Sequence, residues 1–107
     1  MLFKKNHKQM ILEGKKTATR RVWKKPMVRV GGLYKCKLKM LSKNYFAIIE
    51  VTKVYLQQLG EMTNKDAKKE GYANIKEFKK IWIEINGKWD DKKFVDVIEF
   101  KVINKKV

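Results

Sequence analysis

The chain has 107 residues, 44% of them hydrophobic, which is enough to bury one core but too little for two independent ones. No apolar run approaches the roughly 18 residues needed to cross a bilayer, and we expect no secretory signal at the basic start. A single cysteine excludes an intramolecular disulfide, and one cysteine with one histidine cannot supply the usual zinc ligands. We therefore expect a single domain over residues 1–107, located in the cytoplasm, without metal, cofactor or membrane partner.

The net charge of +16 is distributed unevenly along the chain. Residues 1–49 carry 14 lysines and arginines against one acid, Glu13, whereas residues 50–107 carry 13 against 10 acids. A field of this sign attracts phosphates and steers polyanions, so the asymmetry favours a nucleic acid as the partner. The alternative is a solvated lysine-rich surface, since 24 of the 27 cations are lysine, but it explains the total better than the asymmetry.

The first half of the sequence predicts one short helix and several strands. A cluster of Met, Ile and Leu followed by Gly14 indicates a helix over His7–Glu13. In Leu33–Met40, apolar residues alternate with lysines, which predicts a strand with a core side and a basic side. The lysines of that basic side are Lys35, Lys37 and Lys39. Other segments predicted as strands are Leu2–Phe3, Thr17–Val22 and Tyr45–Leu56.

The second half predicts two helices and a last strand. The residues from Thr63 to Asp66 have the spacing of a capping box, so a helix is expected over Asn64–Glu70. Apolar residues at helical spacing predict a second helix over Ile75–Ile85, ended by Asn-Gly, and alternation predicts a strand over Phe94–Ile103. The expected fold is α+β, a small β-barrel of five to six strands with two to three short helices.

Residues 14–21, Gly-Lys-Lys-Thr-Ala-Thr-Arg-Arg, contain two of the three arginines in the chain. In a strand the side chains alternate, so Thr17, Thr19 and Arg21 would share one face and Arg20 would lie on the other. Arginine suits planar, bidentate recognition of a phosphate or a base edge. We therefore predict a binding site here, with an ordinary solvated surface as the alternative.

Lys16 is a candidate general base within this segment. The nearby charges of Lys15, Arg20 and Arg21 would lower its pKa, and a lysine with a lowered pKa can accept a proton at neutral pH. Thr19, three residues on, would be the hydroxyl that it activates. The same spacing also arises by chance in a lysine-rich chain, so this pattern alone leaves both interpretations open.

Residues outside this segment add to the candidate site. Glu70, beside Tyr72 at a predicted helix end, is the acid that we pair with it, the alternative being a solvated glutamate. Trp23 lies among cations and would stack on a base. Trp82 is interpreted as a core residue of its helix, and His7 as a residue of a helix start or the surface.

The pattern Gly14-x-Lys16-x-x-Thr19-x-Arg21 resembles the G-x-K-x-x-T-x-R signature of the ASCH domain family, which is related to the PUA RNA-binding domains. The likeness continues in order from about Phe3 to Val102. Its further segments are Val28–Gly32, Ala67–Tyr72, Ile75–Ile85, Trp89-Asp90 and Val95–Phe100. The turn of this chain reads Gly31-Gly32 where many members have Gly-Asp.

The resemblance implies a PUA-like β-barrel with a ligand cleft beside the signature motif. It implies RNA binding, and in some bacterial members hydrolysis of the acetyl amide of N4-acetylcytidine by a lysine, a threonine and a glutamate. By motif position these correspond to Lys16, Thr19 and Glu70. Arg21 would then bind the substrate or organise the site.

We rank binding of RNA, or another single-stranded nucleic acid, first. The residues predicted to bind it are Lys15, Thr17, Arg20, Arg21, Trp23, Lys35, Lys37, Lys39 and Tyr72. The alternatives are an amidohydrolase acting on N4-acetylcytidine or a related modified nucleoside, and a ribonuclease using the same cleft. An interaction module without nucleic acid ranks last because it leaves the charge asymmetry unexplained. The sequence leaves the oligomeric state open.

Overall fold

Four antiparallel strands form one curled sheet, a half-barrel, in a computed structural model that describes residues 1–106. In spatial order they are β1 (Ala18–Arg21), β4 (Phe94–Lys105), β3 (Ala47–Gln58) and β2 (Leu33–Cys36). Strands β3 and β4 pair over nearly their whole length, with two register irregularities of the kind that bend and twist a sheet. The predicted α+β class is confirmed.

The predicted five to six strands are not found in residues 1–106, where the expected barrel is a half-barrel of four strands. The Leu2–Phe3 segment makes one isolated bridge, between Leu2 and Lys37, because the chain enters a helix at Lys5. Strand β2 ends at Cys36, and both Leu38 and Met40, predicted to face the core, are exposed. The alternation of apolar residues and lysines therefore continues beyond Cys36 into a bend and a turn, where it does not indicate a strand.

Three helices lie in the described part of the chain: α1 (Lys5–Leu12), α2 (Asn64–Lys69) and α3 (Ile75–Asn86). A 3₁₀ turn, Leu59–Glu61, precedes α2. Helix α2 begins at the predicted capping box, since the Thr63 hydroxyl accepts a hydrogen bond from the Asp66 amide and the Asp66 carboxylate accepts one from the Thr63 amide. Helix α3 ends at Gly87, whose φ of 90° is in the left-handed region that glycine tolerates. None of these helices is long and apolar enough to span a membrane.

Most of the core lies in two clusters of buried residues. One lies around helix α3 and contains Leu59, Met62, Ala67, Tyr72, Phe78, Trp82, Val95 and Val97. The other lies around helix α1 and contains Phe3, Ile11, Cys36, Phe46, Ala47, Ile49 and Phe100. Trp82 is buried, as predicted from its place in the helical pattern. Ile85 of the same pattern is half exposed, so the apolar face of α3 is not fully covered by the core.

The end of helix α2 packs against the start of strand β1. The Thr17 amide donates to the Lys69 carbonyl at 2.7 Å. Gly71 follows with a φ of 101°, and a Cβ atom there would lie 2.5 Å from the Met10 sulfur. Glycine is therefore favoured at this position for two reasons, its left-handed backbone conformation and the lack of space for a side chain beside Met10. This close approach brings Lys16 beside Glu70, 54 residues later in the chain.

Candidate functional site

A cavity of about 540 Å³ opens between strand β1, helix α3 and the N-terminal segment. Its volume lies within the usual range of pockets for small ligands. The apolar lining comes from both core clusters and from α3, and includes Phe3, Tyr72, Phe78, Ile81, Trp82 and Ile85. The polar lining includes His7, Lys16, Thr19, Arg20, Arg21 and Glu70. One ligand can therefore meet aromatic faces and hydrogen-bonding groups together.

Glu70 binds two cations at the polar part of the cavity. Its Oε1 accepts a hydrogen bond from Lys16 Nζ at 2.8 Å, and its Oε2 accepts one from Arg20 Nη1 at 2.8 Å. The side chains of all three residues are at most 3% exposed. The interpretation of Glu70 as a solvated helix-end residue is therefore wrong.

The pKa of Lys16 is lowered from its ordinary value. Burial is the main cause, and the positive charges of Arg21 and Arg20 add to it, whereas the pairing with Glu70 opposes it. The direction predicted from the sequence is confirmed, but burial rather than neighbouring charge is its first cause. Lys15 is exposed and lies 3.7 Å from Glu13.

Arg20 lines the same cavity as Thr19 and Arg21, although alternation predicted it on the opposite face. The register pairs Arg20 with Val97 and Val97 with Tyr55, so Arg20 lies on the sheet face that Tyr55 and Gln57 share and that the core cluster around α3 covers. Arg20 Nε and Nη2 donate to Gln57 Oε1 at 3.3 and 2.9 Å. These bonds hold the guanidinium between Gln57 and Glu70.

Arg21 and Thr19 form a second polar pair in the cavity. Arg21 Nε donates to Thr19 Oγ1 at 3.1 Å, and Nη2 donates to the Leu2 carbonyl at 2.7 Å. The guanidinium lies 4.8 Å from the centroid of the Phe3 ring, within the range of cation–π contact. Within residues 1–106 no hydrogen bond joins Lys16 to Thr19, so the candidate base and hydroxyl are not in direct contact.

His7 makes a polar contact with Tyr72 in the cavity, a role for His7 that the sequence did not predict. His7 Nε2 lies 2.7 Å from the Tyr72 hydroxyl, and both residues line the cavity. Burial, aided by the charges of Lys16, Arg21 and Lys4, lowers the pKa of His7 to about 4, so the ring is neutral at pH 7. Burial raises the pKa of Tyr72 to about 12. No local signal could have paired these residues, which are 65 positions apart.

The other residues predicted to bind lie in different places. Lys39 lines the cavity, together with Lys4 and Lys5, and all three are exposed. Lys35 and Lys37 line a second depression, which shares Leu2 with the cavity. Lys15, Thr17 and Trp23 do not line the cavity, and their predicted binding roles stay predictions.

The described residues contain no group of three or more His, Cys, Asp or Glu side chains placed to hold a metal ion. The side chains that line the cavity supply hydrogen-bonding groups of several kinds. Lys16, Arg20 and Arg21 donate hydrogen bonds, Glu70 accepts them, and Thr19 can do both. Such a set can read the edge of a polar ring or stabilise a negative charge.

Comparisons with known proteins identify the family. The family model described as the ASCH domain matches residues 1–104. An ASCH domain structure from Lactobacillus crispatus is 20% identical, with a TM-score of 0.63, over 91% of this chain and 70% of that one. A mutant ASCH protein from Zymomonas mobilis is 9% identical, with a TM-score of 0.65, over 94% of this chain and 66% of that one.

A protein from Enterococcus faecalis shares the fold as well. It is 18% identical, with a TM-score of 0.71, over 95% of this chain and 72% of that one. At such identities these structures show a common fold and nothing further. A comparison with curated proteins finds no significant match.

ASCH domains are associated with nucleic-acid binding generally. Because the family match spans nearly every residue, this chain belongs to the ASCH domain family.

Proposed function

We propose that the chain binds RNA, or another single-stranded nucleic acid, with one base in the cavity and the adjoining phosphates on nearby lysines. The observation that carries this proposal is the lining of the cavity, which combines aromatic side chains such as Phe78 and Trp82 with charged donors. Aromatic side chains stack on unpaired bases, and polar groups read base edges. An unstacked base needs both an aromatic face to stack on and polar groups to bond its edge.

The charge around the cavity supports the same proposal. Lys4, Lys5 and Lys39 are exposed residues of its lining, and Lys35 and Lys37 belong to the neighbouring depression. A strand leaving the cavity past Leu2 would meet these lysines in turn. Each phosphate neutralised steepens the salt dependence by about 0.7 in log–log slope for a single strand.

A cavity-filling variant tests the proposal. Ile85 lines the cavity and is half exposed, so Ile85→Trp fills the space with little effect on the core. Ile83 is a matched control, because it lies on the same helix and is 39% exposed but does not line the cavity. Fluorescence anisotropy with a labelled single-stranded RNA should show at least about fivefold weaker binding for Ile85→Trp than for Ile83→Trp, since stacking of one base contributes about 1–3 kcal/mol. Equal RNA affinity of the two variants would count against the proposal. So would an RNA affinity that does not change with salt concentration.

Hydrolysis of an N4-acylated cytosine is a second candidate, favoured by one observation. Lys16, Thr19 and Glu70 line one cavity, and Arg21 donates to the Thr19 oxygen, which stabilises negative charge there. In this scheme Lys16 passes its ammonium proton to Glu70, and the neutral amine takes the hydroxyl proton as Thr19 Oγ1 attacks the amide carbon. The carbon–N4 bond then breaks, the amine leaves with the proton that Lys16 returns, and water releases the acyl group from Thr19 as the free acid. Lys16 must turn from Glu70 toward Thr19 or the substrate for this to occur.

The hydrolytic candidate is tested by incubating the protein with N4-acetylcytidine and measuring cytidine. Turnover that disappears in Thr19→Val, an almost isosteric change, supports it. An absence of turnover, or turnover unchanged in Thr19→Val, removes it and leaves the binding proposal standing. The same assay on oligonucleotides detects a ribonuclease.

A further inference from the structure

The cavity contains more positive than negative charge. Lys16, Arg20 and Arg21 line it, and among its lining residues within 1–106 the only carboxylate is that of Glu70. Lys16 and Arg20 already share that carboxylate, each at 2.8 Å. Arg20 also has Asp66 at 3.8 Å. Within the described residues, Arg21 is therefore left with no carboxylate inside ion-pair distance.

Arg21 keeps hydrogen-bonding capacity for a ligand. Its Nε and Nη2 donate to neutral oxygens, of Thr19 and Leu2, while Nη1 has no partner among residues 1–106. Every fully buried side-chain nitrogen or oxygen in that range has a partner, so Nη1 is not fully buried. The Thr19 hydroxyl accepts from Arg21, and its own proton makes no hydrogen bond to a residue in the same range. A charged donor and a hydroxyl donor are thus available side by side.

The environment of Arg21 makes an anion favourable there. Burial is the main cause that lowers the pKa of Arg21, so its charge has lost part of its hydration, and the charge of Glu70, beyond ion-pair distance, opposes this shift. The guanidinium nevertheless stays charged, because its pKa is too high for deprotonation in a protein. A partly dehydrated charge that no carboxylate contacts is costly, and a bound anion would offset that cost.

We infer that the cavity takes a phosphate monoester, at an RNA end or on a free nucleotide, with the phosphate on Arg21 and Thr19. This inference rests on the proposed binding of nucleic acid and specifies which part of the polymer enters. A phosphodiester inside a chain carries one negative charge, whereas a monoester carries about 1.5 to 2 at neutral pH. The monoester also has three acceptor oxygens, which suits the guanidinium fork and the neighbouring hydroxyl.

Calorimetric titration with tetrauridylate RNA tests the inference on the wild-type protein. Three forms are compared, bearing a 5′-phosphate, a 3′-phosphate or neither, and inorganic phosphate is titrated separately. One phosphorylated form should bind at least about tenfold more tightly than the unphosphorylated RNA, as expected for an added hydrogen-bonded charge pair. A preference for the 5′ or the 3′ form identifies which end enters. The mononucleotides then show whether a free nucleotide suffices.

Two variants assign the preference to a residue. Arg21→Gln should remove it, while Arg29→Gln, which loses the same charge at an exposed site outside the cavity, should keep it. Equal binding of all three RNA forms by the wild-type protein overturns the inference and leaves the proposed function intact. Inorganic phosphate that binds as tightly as phosphorylated RNA also overturns it, because the base would then contribute nothing. Failure of every RNA to bind contradicts the inference and the proposed function together.

Discussion

The Lys16 ammonium and the Glu70 carboxylate lie 2.8 Å apart with their side chains only 2% and 3% exposed. The two residues come from opposite halves of the chain, and the bond ties the segment before β1 to the end of α2. Because Arg20 binds the other carboxylate oxygen, one acid holds two buried cations in place. The geometry of the polar part of the cavity therefore depends on Glu70.

Replacing Glu70 is expected to be strongly destabilising. Glu70→Gln keeps the shape of the side chain but leaves two buried cations without their shared carboxylate. Removal of one partner of a buried ion pair costs about 3–5 kcal/mol, which chemical denaturation would measure as a lower free energy of unfolding. Glu61→Gln, at an exposed acid, is the control, because a glutamine oxygen can still accept the hydrogen bond from the Gln58 amide at the 3₁₀ turn. A loss of less than about 1 kcal/mol for Glu70→Gln would show that the pair is not buried as described.

Gln57 should stabilise Arg20, a residue of the polar lining of the cavity. Gln57 lies outside that lining, and its Oε1 accepts two hydrogen bonds from Arg20. Gln57→Leu leaves these donors unsatisfied, so the free energy of unfolding should fall by about 1–3 kcal/mol. Gln9→Leu is the matched control, because Gln9 is exposed on α1 and its side chain makes no hydrogen bond within residues 1–106. Equal effects of the two changes would argue that Gln57 does not hold Arg20.

The neutral His7 ring predicts a loss of stability in acid. Its pKa in the folded protein is about 4, below the ordinary value of 6.5, so between these values the unfolded chain binds the proton more readily. The contribution is complete above pH 6.5 and is lost as the pH falls toward 4. Allowing for solvent screening, we expect a loss of about 1 kcal/mol from this residue.

Denaturation of wild-type protein and His7→Gln at several pH values isolates this effect. Carboxylates such as Asp66 titrate alike in both proteins, so they cancel in the difference of unfolding free energies. That difference should shrink as the pH falls from 6.5 to 4. A difference that does not vary with pH would mean that His7 titrates normally in the folded state.

The exposed lysines of the cavity rim should govern the salt dependence of RNA binding. Lys39→Gln removes a cation at the cavity, and the log–log slope of affinity against salt should fall by about 0.7 if one phosphate contact is lost. Lys65→Gln, on the exposed surface of α2, should leave the slope unchanged. Equal slopes for the two variants would place the RNA away from Lys39.

The elements that sequence reasoning located well are those with local signals. The capping box at Thr63 marks the start of α2, and the glycine at position 87 marks the end of α3. Each signal acts through neighbours in its own helix, so the sequence predicts the end of α3 to within one residue. The end of strand β2 was misplaced because Leu38 and Met40 keep the strand alternation after the chain has left the sheet. An alternating pattern identifies a strand but carries no mark of where pairing stops.

The candidate site was predictable in part and through the family resemblance. The pattern from Gly14 to Arg21 singled out Lys16, Thr19 and Arg21, which all line the cavity. The role of Arg20 could not be seen, because its partners Gln57 and Glu70 lie 37 and 50 residues away. The contact between His7 and Tyr72 was hidden for the same reason. Long-range pairs of this kind follow from the folded topology and have no counterpart in local sequence.

Mapping RNA contacts by amide NMR tests the central claim most directly. A short single-stranded RNA titrated into the labelled protein should shift the signals of Thr19, Arg21, Glu70 and Tyr72 and the indole of Trp82, which all line the cavity. The signals around Lys65 on α2 should stay in place. Shifts that leave the cavity signals unmoved while affecting other surfaces would contradict the claim that a base enters the cavity.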